Sequence, residues 1–258
     1  MLNDRNDVRE QYSSSENLNT RISIHKKYST NKIGFNNWIF SHYDLTSDIK
    51  ILELGCGTGD MWKENLHLLG SNVQLFLTDI SEGMIDHAKK SLDEAPNFTY
   101  GIADIEAIPY ENGSFDRVIA NMMLYHIPDL HKGLSEVKRV MTDKGKFYCA
   151  TYGENGIVPY IAGLLKEYGV RDTTNKNFTL QNGYDILTKH FSSVQRLDYE
   201  DSLAVTDIDD LLDYIYSLKN MSSVTELARE DVKEVLKKNM VDGVLKVPKE
   251  YGMFICEK

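Results

Sequence analysis

The stretch "ILELGCGTGDMW", residues 51–62, decides how this chain is read. An apolar run ends in three glycines at every second position, Gly55, Gly57 and Gly59, and Glu53 stands two places ahead of the first. Such a run reads as a buried strand entering a tight turn, where the backbone needs conformations that a Cβ resists. A helix is expected after the turn. Trp62 falls in its first turn, as core or as pocket wall.

Working outward, the alternation continues to residue 152. "NVQLFLTD" (72–79), "FTYGIAD" (98–104), "FDRVIAN" (115–121) and "GKFYCATY" (145–152) are further short apolar runs. Between them lie helical periods. Ser81 is a plausible N-cap, followed by Met84, Ile85, Ala88 and Leu92 on one face. Leu130, Leu134, Val137 and Met141 form a second such face. Strands alternating with helices of this length predict a parallel sheet covered on both sides.

After residue 153 the rhythm changes. Ile157, Ile161, Leu164 and Tyr168 predict one helix, Ile208, Leu211, Leu212 and Ile215 another, and Val224, Leu227, Ala228 and Val235 a third. Late strands are expected near 193–199 and 251–257. Insertions after the strands of such a sheet commonly cover the crevice at the strands' carboxyl ends. Residues 1–20, rich in Asn, Ser and charge, predict a mobile tail. One domain is expected over 21–258, with its core at about 45–152 and covering elements at about 21–44, 154–190 and 205–240.

Charge narrows the partners. Lys and Arg number 29 against 39 Asp and Glu, a net charge of −10. No stretch gathers lysines among aromatic residues, and "VKEVLKKNM" (232–240) reads as the solvated side of a helix. A nucleic-acid partner is therefore not expected. Three cysteines, Cys56, Cys149 and Cys256, lie far apart and show no metal-ligand spacing. The opening "MLNDRNDVRE" lacks the apolar core of a signal peptide, and no apolar run approaches a membrane span. A cytoplasmic protein is expected.

Two ligand classes use a strand, a glycine turn and a helix. Dinucleotide enzymes need G-x-G-x-x-G, with a pyrophosphate at the helix N-terminus. Here the position three after Gly57 is Asp60, whose carboxylate would repel a pyrophosphate. A nicotinamide-dependent dehydrogenase is thus the weaker alternative. The observed G-x-G-x-G preceded by Glu53 resembles motif I of class I S-adenosylmethionine-dependent methyltransferases of the type 11/25 kind, which in bacteria act on small molecules. The resemblance runs over roughly residues 25–152, through "LFLTDIS", "GIADIEAIPY", "FDRVIANMMLYHIPD" and "EVKRVMTDKGKFYCAT" in that order. "TDKGK" has one glycine where the family usually has two, at the end of the strand away from the crevice.

The resemblance implies an α/β fold: a Rossmann-like, doubly wound, seven-stranded, mostly parallel sheet with helical lid insertions. It implies S-adenosylmethionine as cofactor and a small-molecule methyl acceptor, with a non-catalytic cofactor-binding protein as the alternative. Gly55 and Gly57 let backbone approach the cofactor, Cys56 lies between them as a turn residue, and Glu53 suits a cationic ligand. Asp79 would accept the ribose hydroxyls, or cap the next helix. Ile80 and Met84 would lie beside it. Asp104 would accept the adenine amino group, or cap "IEAI", and Ile105 would lie against the adenine ring. Asn121 follows the fourth strand. Tyr28 would reach the methionine end from the N-terminal segment, or close an ordinary amphipathic helix. Tyr125 and His126 face the acceptor, with His126 or Tyr125 as a possible base. Tyr152 and Tyr160 would join Tyr125 around the acceptor.

Overall fold

The computed structural model describes residues 23–45, 48–92, 97–218 and 220–258. The tail expected over 1–20 lies outside the described residues. After a helical segment at 23–28 come α1 (Phe35–Ser41), β1 (Lys50–Leu54), α2 (Asp60–Asn65), β2 (Gln74–Asp79) and α3 (Glu82–Leu92). Next are β3 (Phe98–Ile102), β4 (Phe115–Ile119), α4 (Leu130–Val140), β5 (Met141–Tyr152) and α5 (Ile157–Leu164). The chain then forms β6 (Arg171–Asp172), α6 (Gly183–Leu187), β7 (Ser193–Val205) and α7 (Ile208–Ser217). It ends with β8 (Met221–Ser222), α8 (Arg229–Lys238) and β9 (Leu245–Glu257).

Seven strands form one sheet in the order β3-β2-β1-β4-β5-β9-β7. β1 to β5 pair in parallel, and β9 runs antiparallel between β5 and β7. This is the α/β, Rossmann-like, doubly wound, mostly parallel sheet expected from the sequence. β1 is apolar because both its faces are covered. Ile51 packs toward α1 and α2 with Ile39, Phe40 and Trp62, whereas Leu52 and Leu54 pack toward α4 with Leu134 and Val137. From β1 the chain winds one way to β2 and β3 and returns on the other side as β4 and β5. The crevice where the order reverses opens at the carboxyl ends of β1 and β4, where ligands bind in sheets of this kind.

The late strands are longer than the sequence suggests. β7 and β9 pair from Ser193↔Glu257 to Val205↔Leu245, while β5 stops at Tyr152↔Tyr251. The overhang carries Leu203, Val205, Leu245 and Val247 into a second apolar cluster with α5, α7 and α8 and with Ile24 and Tyr28. Period-two alternation in "SLAV" and "LKV" marks these residues as strand, but Glu200 and Asp201 in β7, and Pro248, Lys249 and Glu250 in β9, separate them from the apolar runs and hid the signal.

Smaller differences follow the same logic. Met141 opens β5 rather than closing α4, and Tyr168 ends a 3₁₀ turn, exposed, beyond α5. The helix expected over 224–235 divides into a 3₁₀ turn at Val224–Glu226 and α8, because Leu227 and Ala228 are extended. The two-residue strands β6 and β8 pair with each other and had no sequence signal.

Candidate active site

The glycine turn connects β1 to α2 in a shape only glycine holds easily. Gly55, Gly57 and Gly59 have φ of 72°, 55° and 74°. A Cβ on Gly57 would meet nothing within 4 Å, so its backbone faces open space. A Cβ on Gly59 would lie 2.8 Å from Leu92 Cδ1, so the third glycine serves the packing of α2 against α3.

Asp79, the last residue of β2, ties this turn to α3. Its Oδ2 accepts the Gly57 N–H at 3.0 Å and its Oδ1 the Ser81 N–H at 2.9 Å. Each oxygen keeps further lone-pair capacity. Burial raises its pKa, although the backbone donors at Ser81, Gly57 and Ile80 oppose the rise. Helix capping falls to Ser81, whose Oγ accepts the Met84 N–H at 3.4 Å.

A cavity of about 330 Å³ opens over this turn at the carboxyl ends of the strands. Gly55, Gly57, Asp79, Ile80 and Met84 line one part of it. Asp104 and Ile105 line the next part, and Asn121, Tyr125 and His126 the remainder. Asp104 also caps its own turn, with Oδ1 accepting the Glu106 N–H at 2.9 Å, so the two readings of this residue are compatible. Asn121 is fixed on both sides. Its Nδ2 donates to the Tyr43 hydroxyl at 2.6 Å, and its Oδ1 accepts the Ala150 N–H at 3.2 Å. Tyr125 and His126 sit on a 3₁₀ turn after β4 with rings 4.5 Å apart, and the Tyr152 ring lies 4.6 Å from that of Tyr125.

Three expected cofactor residues do not line this cavity. Tyr28 packs in the second apolar cluster, and its hydroxyl donates to Asp210. The N-terminal segment is drawn there because Ser29 bridges Leu203 on the β7 overhang. Glu53 is buried behind the turn, where its carboxylate accepts the indole N–H of Trp62. Burial, with the nearby Asp79 carboxylate, pushes its pKa up to about 7. Trp62 is accordingly core, fully buried, and not pocket wall. Cys56 makes the turn with its N–H donated to Thr78 O, and burial pushes its thiol pKa far up. Tyr160 packs against the second cluster, away from the cavity.

The rest of the loop leaving β4, within the "FDRVIANMMLYHIPD" stretch that carries the resemblance, also lines the cavity. Met122 holds a left-handed φ of 53°, a strained conformation for a non-glycine residue, with its N–H donated to Ala150 O at 2.8 Å. Met123 lies against Gly55, where a Cβ would sit 3.1 Å from its Cγ. Both stand between Asn121 and Tyr125, so their place in the loop leaving β4 was the available signal. Ile127 and Pro128 extend the same apolar wall. Among the described residues no group of three or more His, Cys, Asp or Glu could hold a metal ion. No helix among them is long and apolar enough to cross a membrane.

Comparison with known proteins places this geometry in a family. The family model described as "Methyltransferase domain" matches residues 51–145, from β1 to the start of β5. The ubiquinone/menaquinone biosynthesis C-methyltransferase UbiE of Rickettsia typhi is 30% identical over 139 residues, covering 52% of this chain and 53% of that protein. Its counterpart in Rickettsia bellii is 33% identical over 110 residues, covering 40% and 44%. The chain thus spans about half the length of these curated relatives. In fold it is similar to phosphoethanolamine N-methyltransferase 2 of Haemonchus contortus, solved with S-adenosyl-L-methionine. That likeness has a TM-score of 0.61 and 16% identity, covering 98% of this chain and 59% of that one. It is also similar to the YcgJ protein of Bacillus subtilis, with a TM-score of 0.57 and 15% identity over 86% and 97%. Sheet order, glycine turn and domain match fall on the same stretch of sequence, and residues 51–145 form a methyltransferase domain of the class I, S-adenosylmethionine-dependent type.

Proposed function

We propose that this protein transfers a methyl group from S-adenosylmethionine to a small-molecule acceptor. One observation carries the reading. The cavity joins the bare backbone of Gly57 to the Asp79 carboxylate, whose two oxygens are aimed by one backbone donor each. Two acceptors held at fixed spacing suit a pair of ribose hydroxyls. A dinucleotide pyrophosphate would meet Asp60 in the first turn of α2 instead.

The residues fit the cofactor part by part. Asp79 would hold the ribose, Ile80, Met84 and Ile105 the apolar faces of the nucleoside, and Asp104 the adenine amino group. Gly55 and Asn121 would border the methionine end. Bound there, S-adenosylmethionine would supply an activated methyl carbon to an electron pair of the acceptor, the carbon–sulfur bond breaking with its electrons kept by sulfur. The protein's part is to orient the reactants and exclude water, which can lower a barrier by about 7–11 kcal/mol. Tyr125 and His126 would border the acceptor, and a proton released by it would pass to His126, Tyr125 or solvent. Tyrosine faces such as that of Tyr125 would also favour a cationic methyl donor.

The 23–28 segment and helices α5, α7 and α8 would form a lid over the acceptor. The small-molecule class is supported by relatives named for C-methylation in ubiquinone and menaquinone biosynthesis. The test is to incubate the protein with S-adenosylmethionine and pools of phenols, amines, thiols and quinols, measuring S-adenosylhomocysteine by mass spectrometry. Acceptor-dependent product supports transfer. Cofactor binding without turnover on any pool would make this a non-catalytic binding protein.

A further inference from the structure

A second cavity, of about 370 Å³, opens between the 23–28 segment, the start of α1 and β9. We propose that it receives the acidic end of the methyl acceptor, a small aromatic acid. The assignment rests on the methyltransferase reading above and names the class of its substrate.

Charge is the first argument. In a chain of net charge −10, Lys26, Lys32 and Lys249 converge on this one cavity. Lys249 is answered from beneath by Asp201 at 2.5 Å, with both side chains buried. Glu64 is the acidic residue of the lining and offsets one more lysine. One positive charge remains in excess, facing a concave space. A carboxylate there would be attracted, and an ammonium repelled.

The wall offers a place for a ring. Phe35 and Tyr251 meet at a corner, with centroids 5.1 Å apart and planes at 51°. His25 lies 6.1 Å from Tyr251 and completes that side. The Nδ1 atom of His25 is buried and has no hydrogen-bond partner among the described residues. Burial, with Lys249 nearby, pushes the His25 pKa down to about 3, so the ring is neutral at neutral pH. A hydroxyl on the ligand could satisfy that nitrogen in either tautomer, since it both donates and accepts.

The cavity is built rather than incidental. Asp201 accepts the Asn31 N–H at 3.0 Å and the Ser29 hydroxyl at 2.7 Å, and Thr30 donates its N–H to Ser202 O at 2.9 Å. These bonds hold the 29–31 wall to β7. Its position also suits an acceptor site. Tyr251 stands opposite Tyr152 in the β5–β9 register, and Tyr152 packs on Tyr125 at the first cavity.

The probes are 4-hydroxyphenylacetate, its neutral amide and the amine tyramine, which differ in charge at one end. Each is titrated by calorimetry into wild type and a Lys26→Gln/Lys32→Gln variant, with and without S-adenosylhomocysteine. We expect the acid to bind wild type at least tenfold tighter than the amide or amine, and the variant to lose most of that preference. S-adenosylhomocysteine affinity should stay within twofold in the variant. Equal affinity for acid and amide, equal acid binding by the variant, or no acid binding at all would overturn the proposal. Lysine-dependent acid binding without any cofactor binding would keep the acid site and refute its role as a methyl-acceptor site.

Discussion

The indole N–H of Trp62 donates to the Glu53 carboxylate in the interior, nine residues apart across the glycine turn. Strand β1 carries a glutamate in its buried stretch because α2 brings a donor to it. Trp62→Phe removes that donor and leaves a buried carboxylate short of a partner. We expect a loss of about 3 kcal/mol at pH 8, and a smaller loss at pH 5, where the folded carboxyl is protonated. Urea unfolding at the two pH values checks it.

The same carboxyl sets a pH dependence. Glu53 titrates at about 7 in the folded protein against an ordinary value of 4.5, because burial penalises its charge. Between those values the folded state holds a proton that the unfolded state has released. Its contribution is therefore favourable below pH 4.5 and is lost as pH rises to about 7, by about 3 kcal/mol in all. The buried Asp79 carboxyl, also raised, acts in the same direction. Unfolding free energies measured from pH 5 to 8 should fall in wild type and change far less in Glu53→Gln.

Two glycines of the turn should separate by phenotype. Gly57 and Gly59 both have positive φ, so alanine at either costs about 1–2 kcal/mol in backbone strain. A methyl on Gly57 would project into open space beside the cavity, while one on Gly59 would press on Leu92. Gly57→Ala should weaken S-adenosylhomocysteine binding more than tenfold with a modest drop in melting temperature. Gly59→Ala should do the reverse, and paired calorimetry and thermal melts decide it.

Asp201 and Lys249 form a buried pair under the second cavity. Removing one partner leaves a buried charge unanswered, at a cost of about 3–5 kcal/mol. Asp201→Asn should therefore lower the melting temperature sharply. Asp201→Asn combined with Lys249→Met removes both charges and keeps an acceptor for the Asn31 N–H, and should recover most of the loss, which a double-mutant cycle measures.

Much of this was legible in the chain. The alternation from 50 to 152 carried the parallel sheet, because buried strands and amphipathic helices have distinct periods. The residues that line the first cavity cluster at strand ends, and strand ends were readable at Asp79, Asp104 and Asn121. Side-chain direction was less readable. Glu53 stands in the run leading to the glycines yet points to the face opposite Leu54, since successive strand residues alternate. Tyr28 was lost for a different reason. Its place depends on the β7–β9 overhang, a pairing between residues some 50 positions apart whose polar faces concealed it. The second cavity joins His25, Phe35 and Tyr251 from the two ends of the chain, and no local pattern announces such a meeting.

The central claim is that Asp79 and the glycine turn hold S-adenosylmethionine, and calorimetric titration of S-adenosylhomocysteine into wild type and Asp79→Ala tests it most directly. The account predicts micromolar binding to wild type, weakened at least tenfold, or about 1.4 kcal/mol, in a variant that still melts cooperatively. Equal affinity in both proteins, or no binding to wild type, would contradict it.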